Sequence, residues 1–134
     1  LVAFHTEHKL LILSHSPKYF SVLGQLVAKP KRNKPEDLNA EYVNLLMECL
    51  RLVATVKKNT NVLQHIVGYF KNQLSSDDRK ELLEVIENYH KGYIPLIVPI
   101  VLVKHYVRKF NEPYLQRQYY LNPHPLELML RNHA

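Results

Sequence analysis

Cations, amides and imidazoles recur in three stretches of this chain, and such side chains can neutralise or hydrogen-bond phosphate oxygens without any covalent step. The first stretch is NVLQHIVGYFKNQL, residues 61–74. At about 100° per residue, Leu63, Ile66, Val67, Phe70 and Leu74 fall on one side of a helix. Asn61, Gln64, His65, Gly68 and Asn72 share the other side with Lys57 and Lys58 one turn earlier, and Lys71 follows. That polar side has no carboxylate. A solvated face normally mixes signs, so this one suits a flat anionic surface. Gly68 costs about 1 kcal/mol relative to alanine inside a helix, which close approach of another backbone would offset. Either a phosphate backbone or another helix of the same domain meets that description.

The second stretch is the end of YIPLIVPIVLVKHYVRKF, where Lys104, His105, Arg108 and Lys109 could neutralise phosphates and Tyr106 or Tyr114 could stack on bases. Cations in a last helical turn are also favoured by the helix dipole alone. The third is YLNPHPLELMLRN. Pro123 and Pro125 stiffen the chain around His124, so Asn122 and His124 either face a ligand or cap the helix that follows.

Catalytic patterns are sparse. The chain has no HExxH, no glycine-rich phosphate loop, no G-x-S-x-G elbow and no C-x-x-C. His5 and His8 lie a turn apart, but two imidazoles do not make a metal site, and His5, His8 and His15 read as surface or packing residues. An acid–base role for His65 or His124 would need an orienting carboxylate.

The elements that must position these groups are helical. The 134 residues fit one domain spanning 1–134, and 46% hydrophobic content with only three glycines favours an all-α fold. A formal charge of +6 suits an anionic partner. The single cysteine, Cys49, excludes an internal disulfide framework and suggests the reducing cytoplasm. The ten residues Ile94 to Val103 include two prolines and fall short of the roughly 20 apolar residues of a membrane span, so no membrane role is expected. No secretory leader is visible. The start at Leu1, without an initiator methionine, suits a segment excised from a longer protein.

Ser16-Pro17 marks a helix start between two helices, and KPKRNKPED is a basic loop ending at Pro35. Leu38, Tyr42, Leu45, Cys49, Leu52, Val53 and Val56 trace one stripe of a long helix, with Cys49 a buried thiol. Ser75-x-x-Asp78 caps the next helix, whose stripe is Leu82, Ile86, Tyr89 and Tyr93 and whose stop is Gly92. The helix near 95–110 is apolar all round until Val103, which makes it the expected centre of a bundle of six or seven helices. Pro99 should kink it or loosen its first turn.

NVLQHIVGYFKNQLS, YIPLIVPIVLVKHYVRK and YLNPHPLELMLRN, preceded by LVAFH and EYVNLLMECL, together resemble the YbgA-type domain of unknown function over nearly the whole chain. That domain occurs alone or behind an iron–sulfur domain of the thiouracil and thiouridine desulfidase type. The resemblance implies an accessory role: binding structured RNA, above all tRNA, and presenting its thiolated base to the desulfidase domain in cis or trans. The [4Fe-4S] cluster would belong to that partner, because this chain has one cysteine. The expected RNA contacts are Lys57, Lys58, Asn61, Gln64, His65 and Lys71; Lys104, His105, Arg108 and Lys109; and Asn122, His124, Arg131 and Asn132. No catalytic or metal-binding residue is expected. The alternatives are a protein-docking or dimerisation module, and an enzyme built around His65 and His124. The RNA reading expects the cationic and amide groups to gather into one patch.

Overall fold

Ser16 closes one helix and opens another: its extended backbone ends α1 (Val2–His15), and its hydroxyl accepts from the Tyr19 N–H at 3.1 Å. With Pro17 in the first helical position, this is the start anticipated for α2 (Pro17–Ala28). The computed structural model describes residues 1–29, 34–123, 125, 126 and 129. Every regular element among them is a helix. After α2 come α3 (Pro35–Leu50), α4 (Val56–Tyr69), α5 (Ser76–His90), α6 (Ile97–Phe110) and α7 (Pro113–Gln116), so the described residues form seven helices.

The long stripe expected from Leu38 to Val56 is cut in two. The Thr55 hydroxyl accepts from the Lys58 N–H at 3.1 Å and starts α4 afresh, because a threonine that caps its own downstream turn competes with a continuous helix. Leu52, Val53 and Val56 are therefore exposed, Val53 by 74%. Tyr93 also leaves its expected stripe. Gly92, at φ +80°, ends the α5 segment before Tyr93, which is 73% exposed. Ser75 caps α5 as anticipated, accepting from the Asp78 N–H, while Leu82, Ile86 and Tyr89 are buried.

Two apolar clusters lie inside. In the larger, α4 contributes Val62, Leu63, Ile66 and Val67, packed with Leu10 and Leu13 of α1, the α5 stripe and Ile100, Val103, Tyr106 and Val107 of α6. The apolar helix expected near 95–110 thus forms as α6, although its outward Val98 and Val101 stay exposed, Val101 by 57%. Pro99 sits in its first turn, where an N–H would lack an intrahelical acceptor, and the Pro95 carbonyl accepts instead from Val98 at 3.1 Å. No described helix is long and apolar enough to cross a membrane.

The smaller cluster joins Ile12, Leu23, Leu26, Tyr42 and Cys49 across α1, α2 and α3. Cys49 is fully buried, and burial pushes its thiol up to about 11, as a packing residue requires. Cys49→Ser is expected to cost about 1–2 kcal/mol in urea unfolding, since a hydroxyl there is more costly to desolvate. An unchanged urea midpoint would contradict a packing role.

The segment after α6 closes the structure onto α1. Gln118 is fully buried: its amide nitrogen donates to the Thr6 carbonyl, and its amide oxygen accepts from the Leu10 N–H at 3.2 Å. The Tyr119 N–H donates to the Glu7 carbonyl at 3.0 Å, and the Tyr120 hydroxyl donates to the buried Asn59 amide oxygen at 2.6 Å. The imidazoles read as packing residues do pack. His8 is stacked between Phe4 and Tyr119, at centroid distances of 3.9 and 4.4 Å, and His15 Nδ1–H donates to the Leu52 carbonyl at 2.7 Å.

Candidate functional site

Asn111 turns the chain at the end of α6. Its φ of +55° is a left-handed conformation that asparagine tolerates better than most residues. Glu112 then caps α7 by accepting from the Tyr114 N–H, so α7 and the residues after it fold back along α6. Between them lies a groove of about 470 Å³. Val107, Leu115 and Leu121 form its buried floor, while Lys104, His105 and Arg108 rise from α6 and Gln116 and Asn122 from the opposite wall.

Val101, Lys104, His105 and Arg108 share one side of α6 because their spacing of three, four and seven residues returns to the same face. No carboxylate among the described residues lines the groove. Among the described residues the only ion pair is the exposed Lys91–Glu87, at 3.9 Å, so Lys104 and Arg108 have no acidic partner. The amides opposite are oriented by the local turn. Gln116 Nε2 donates to Asn111 Oδ1 at 2.8 Å, and Asn122 Nδ2 donates to the Gln116 and Gln118 carbonyls at 3.1 and 3.3 Å. With both N–H groups of Asn122 and one of Gln116 committed, the two side chains offer oxygens, which are acceptors suited to a hydroxyl.

The structure brings together only part of the expected set. Lys104, His105, Arg108 and Asn122 share the groove, and Gln116 joins them. Lys109 follows on a different side of α6, with its ammonium 5.5 Å from the Phe110 ring centre. Lys57, Gln64, His65 and Lys71 are exposed on or just beyond α4, Asn61 is half-buried, and Lys58 donates to the Val53 carbonyl at 2.9 Å. None of them lines the groove. Phe70 meets Tyr106 and Phe110 of α6, and Gly68 lies about 160° away around the helix, so the α4 stripe faces away from α6. The single patch expected from sequence is therefore two surfaces. Gly68 faces open space, so no described helix packs on it. His124, Arg131 and Asn132 lie outside the described residues.

The aromatic expectation needs correction. Tyr106 is 4% exposed and packs in the core, so it cannot stack on a base. Tyr114 is half-buried, its ring stacked on Tyr69 at 4.9 Å, and burial with the neighbouring Tyr69 pushes its phenol up. Tyr69, more exposed, is the ring at that edge with an accessible face. Sequence reasoning missed it because it adjoins the buried Phe70. It missed Gln116 because nothing local marks one glutamine among polar neighbours.

The acid–base alternative rested on His65 and His124, of which His124 lies outside the described residues. Neither His65 nor His105 has a hydrogen-bond partner among the described residues, so no group orients either ring as a general base. Nor do the residues fit an iron–sulfur cluster, since the one thiol is sealed in the core.

Comparison with known proteins gives two matches. Residues 9–125 match a family described as a protein of unknown function (DUF1722). A protein of Escherichia coli (strain K12), described as the uncharacterized protein YbgA, is 31% identical over 133 residues, covering 98% of this chain and 79% of its own length. No solved structure matches.

Proposed function

The chain belongs to the DUF1722 family, whose description names no activity, and on that premise we propose that it is an RNA-binding accessory domain whose main contact is the α6–α7 groove. The observation that carries this reading is a row of cations without acidic partners among the described residues, Lys104 and Arg108 with His105 between them, facing amide oxygens across a groove. The helix dipole accounts for Arg108 in the last turn but not for Lys104 a turn earlier, nor for acceptors supplied by another segment. Ammonium and guanidinium groups opposite amide oxygens match the phosphates and 2′-hydroxyls of folded RNA.

The resemblance to domains that accompany thiouracil and thiouridine desulfidases makes tRNA the RNA proposed. On the same reading the chemistry would fall to a partner, an iron–sulfur domain carrying the [4Fe-4S] cluster, to which this chain would present a thiolated base in the cytoplasm. Any such cluster belongs elsewhere, because Cys49 is alone and buried. A second reading, a protein-docking module, is favoured by Val43, Met47 and Leu50, an exposed apolar row along α3. That row lies on a different helix from the groove.

Filter binding of bulk tRNA at two salt concentrations separates the readings. Neutralising two phosphates with Lys104 and Arg108 gives an expected slope of about −1.4 to −1.8 in log affinity against log salt. A slope near zero, or no retention at low salt, would exclude phosphate binding and leave the docking reading.

A further inference from the structure

We infer that the outer side of α3 is an interface between two copies of this chain, which pack with their α3 helices antiparallel about a two-fold axis. The inference commits the docking reading of that helix to one partner, and it does not rest on RNA binding at α6. Tyr42 and Cys49 turn one side of α3 into the core. Val43, Met47 and Leu50 recur at four and seven residues, so they line up on another side, where they are 52%, 51% and 36% exposed. Directly after the helix, Leu52 and Val53 are exposed as well. Single exposed apolar residues are ordinary, but a row sustained along a helix and the residues that follow it marks a contact surface.

The charges point to what covers it. α3 carries Glu36, Asp37, Glu41 and Glu48 and no basic residue, in a chain of net charge +6, so this helix repels a polyanion. On the side that holds the apolar row, charge sits only at the two ends. Glu36, seven residues before Val43, begins the row, and Arg51, which follows Leu50 and ends α3, borders its other end. Both are exposed, and neither has an ion-pair partner among the described residues.

Those ends are complementary only when two such helices run in opposite directions. A parallel pair would set Glu36 against Glu36 and Arg51 against Arg51. With the helices antiparallel and centred between Val43 and Asn44, each Glu36 falls opposite Arg51 of the other copy, once on either side of the two-fold axis. The same register sets Ala40, small and exposed, opposite Met47, so a small residue receives a large one in each half. One helix pair, about 24 Å long and roughly 10 Å across, covers less than the roughly 800 Å² per partner of a standard interface, so the dimer is weak and reversible.

The test is sedimentation equilibrium of the whole chain at low salt over a range of concentrations. A reversible monomer–dimer equilibrium is expected, with a dissociation constant of about 10–100 µM. Met47→Glu places a charge in the middle of the row and should leave a monomer; thermal melts check that it folds, and Met47→Ala, expected to weaken the dimer about fivefold, serves if it does not. The decisive arm exchanges charges. Glu36→Arg and Arg51→Glu should each weaken self-association about tenfold, because both cross-copy pairs become repulsive. Mixed together, the two variants should form a heterodimer about as tight as the parent, since each glutamate of one then faces an arginine of the other. A partner of different sequence on this helix would give no such rescue. A chain still monomeric at about 1 mM, a dimer unmoved by folded Met47→Glu, or a mixture as weak as its components overturns the inference, whatever the tRNA titration shows.

Discussion

Replacing Lys104 and Arg108 together by glutamate is expected to lower tRNA affinity about 100-fold while leaving the domain folded. Two charge-assisted contacts at about 1.5 kcal/mol each account for that factor, before any repulsion from the new carboxylates. The salt slope should become shallower by about 1.4 to 1.8 units, because two phosphates are no longer neutralised. Both side chains are exposed and lack acidic partners among the described residues, so little native structure is lost. Glutamate at 108 opposes the dipole at the end of α6, a cost of about 0.3–1 kcal/mol that a thermal melt would register as a small drop.

The matching control reverses Lys57 and Lys71, which the structure places with the α4 stripe, away from the groove. Its expected effect is about twofold, the general loss of positive charge on a polyanion binder. If this pair weakens binding as strongly as the α6 pair, the α4 stripe also carries RNA and the groove is not the principal contact. Equal affinity of the α6 double variant and the parent, both folded, would refute the groove outright.

Gln118→Ala should be the most destabilising single polar substitution. Its amide holds the Thr6 carbonyl and the Leu10 N–H from inside the core, and truncation leaves both groups and a cavity behind. About 2–4 kcal/mol is expected, the sum of two buried hydrogen bonds and lost packing, or roughly 10 °C in melting temperature. Gln118→Leu should recover only the packing part. The carbonyl of residue 118 that accepts from Asn122 belongs to the backbone and survives the substitution, so the groove wall should keep that bond wherever the domain stays folded. An unchanged melt would show that Thr6 and Leu10 simply bond to each other when the amide is withdrawn.

The family resemblance named the fold's relatives, but much of the architecture was legible from local chemistry. Ser16-Pro17 and Ser75-x-x-Asp78 start helices where their hydroxyls can cap the following turn, and Gly92 stops one where φ turns positive. Leu63, Ile66, Val67 and Phe70 are buried, as their spacing requires. The failures were local competitions of another kind. Thr55 divided a stripe that hydrophobic periodicity alone would continue, and Tyr106 belonged to the inner side of a helix whose two sides are both apolar.

By itself, then, the sequence determined the helical class, most helix limits and the inward stripes, because capping and amphipathic spacing act within about four residues of chain. Only the tertiary structure decided which polar groups meet. It joined Asn122 to Lys104 and Arg108, turned the α4 stripe away from them, and set Gln118 against Leu10 at a separation of 108 residues. It also enclosed His5 against Tyr42. Such pairings depend on how helices rotate to bury their apolar sides against one another, a choice made by the whole core and written in no single segment.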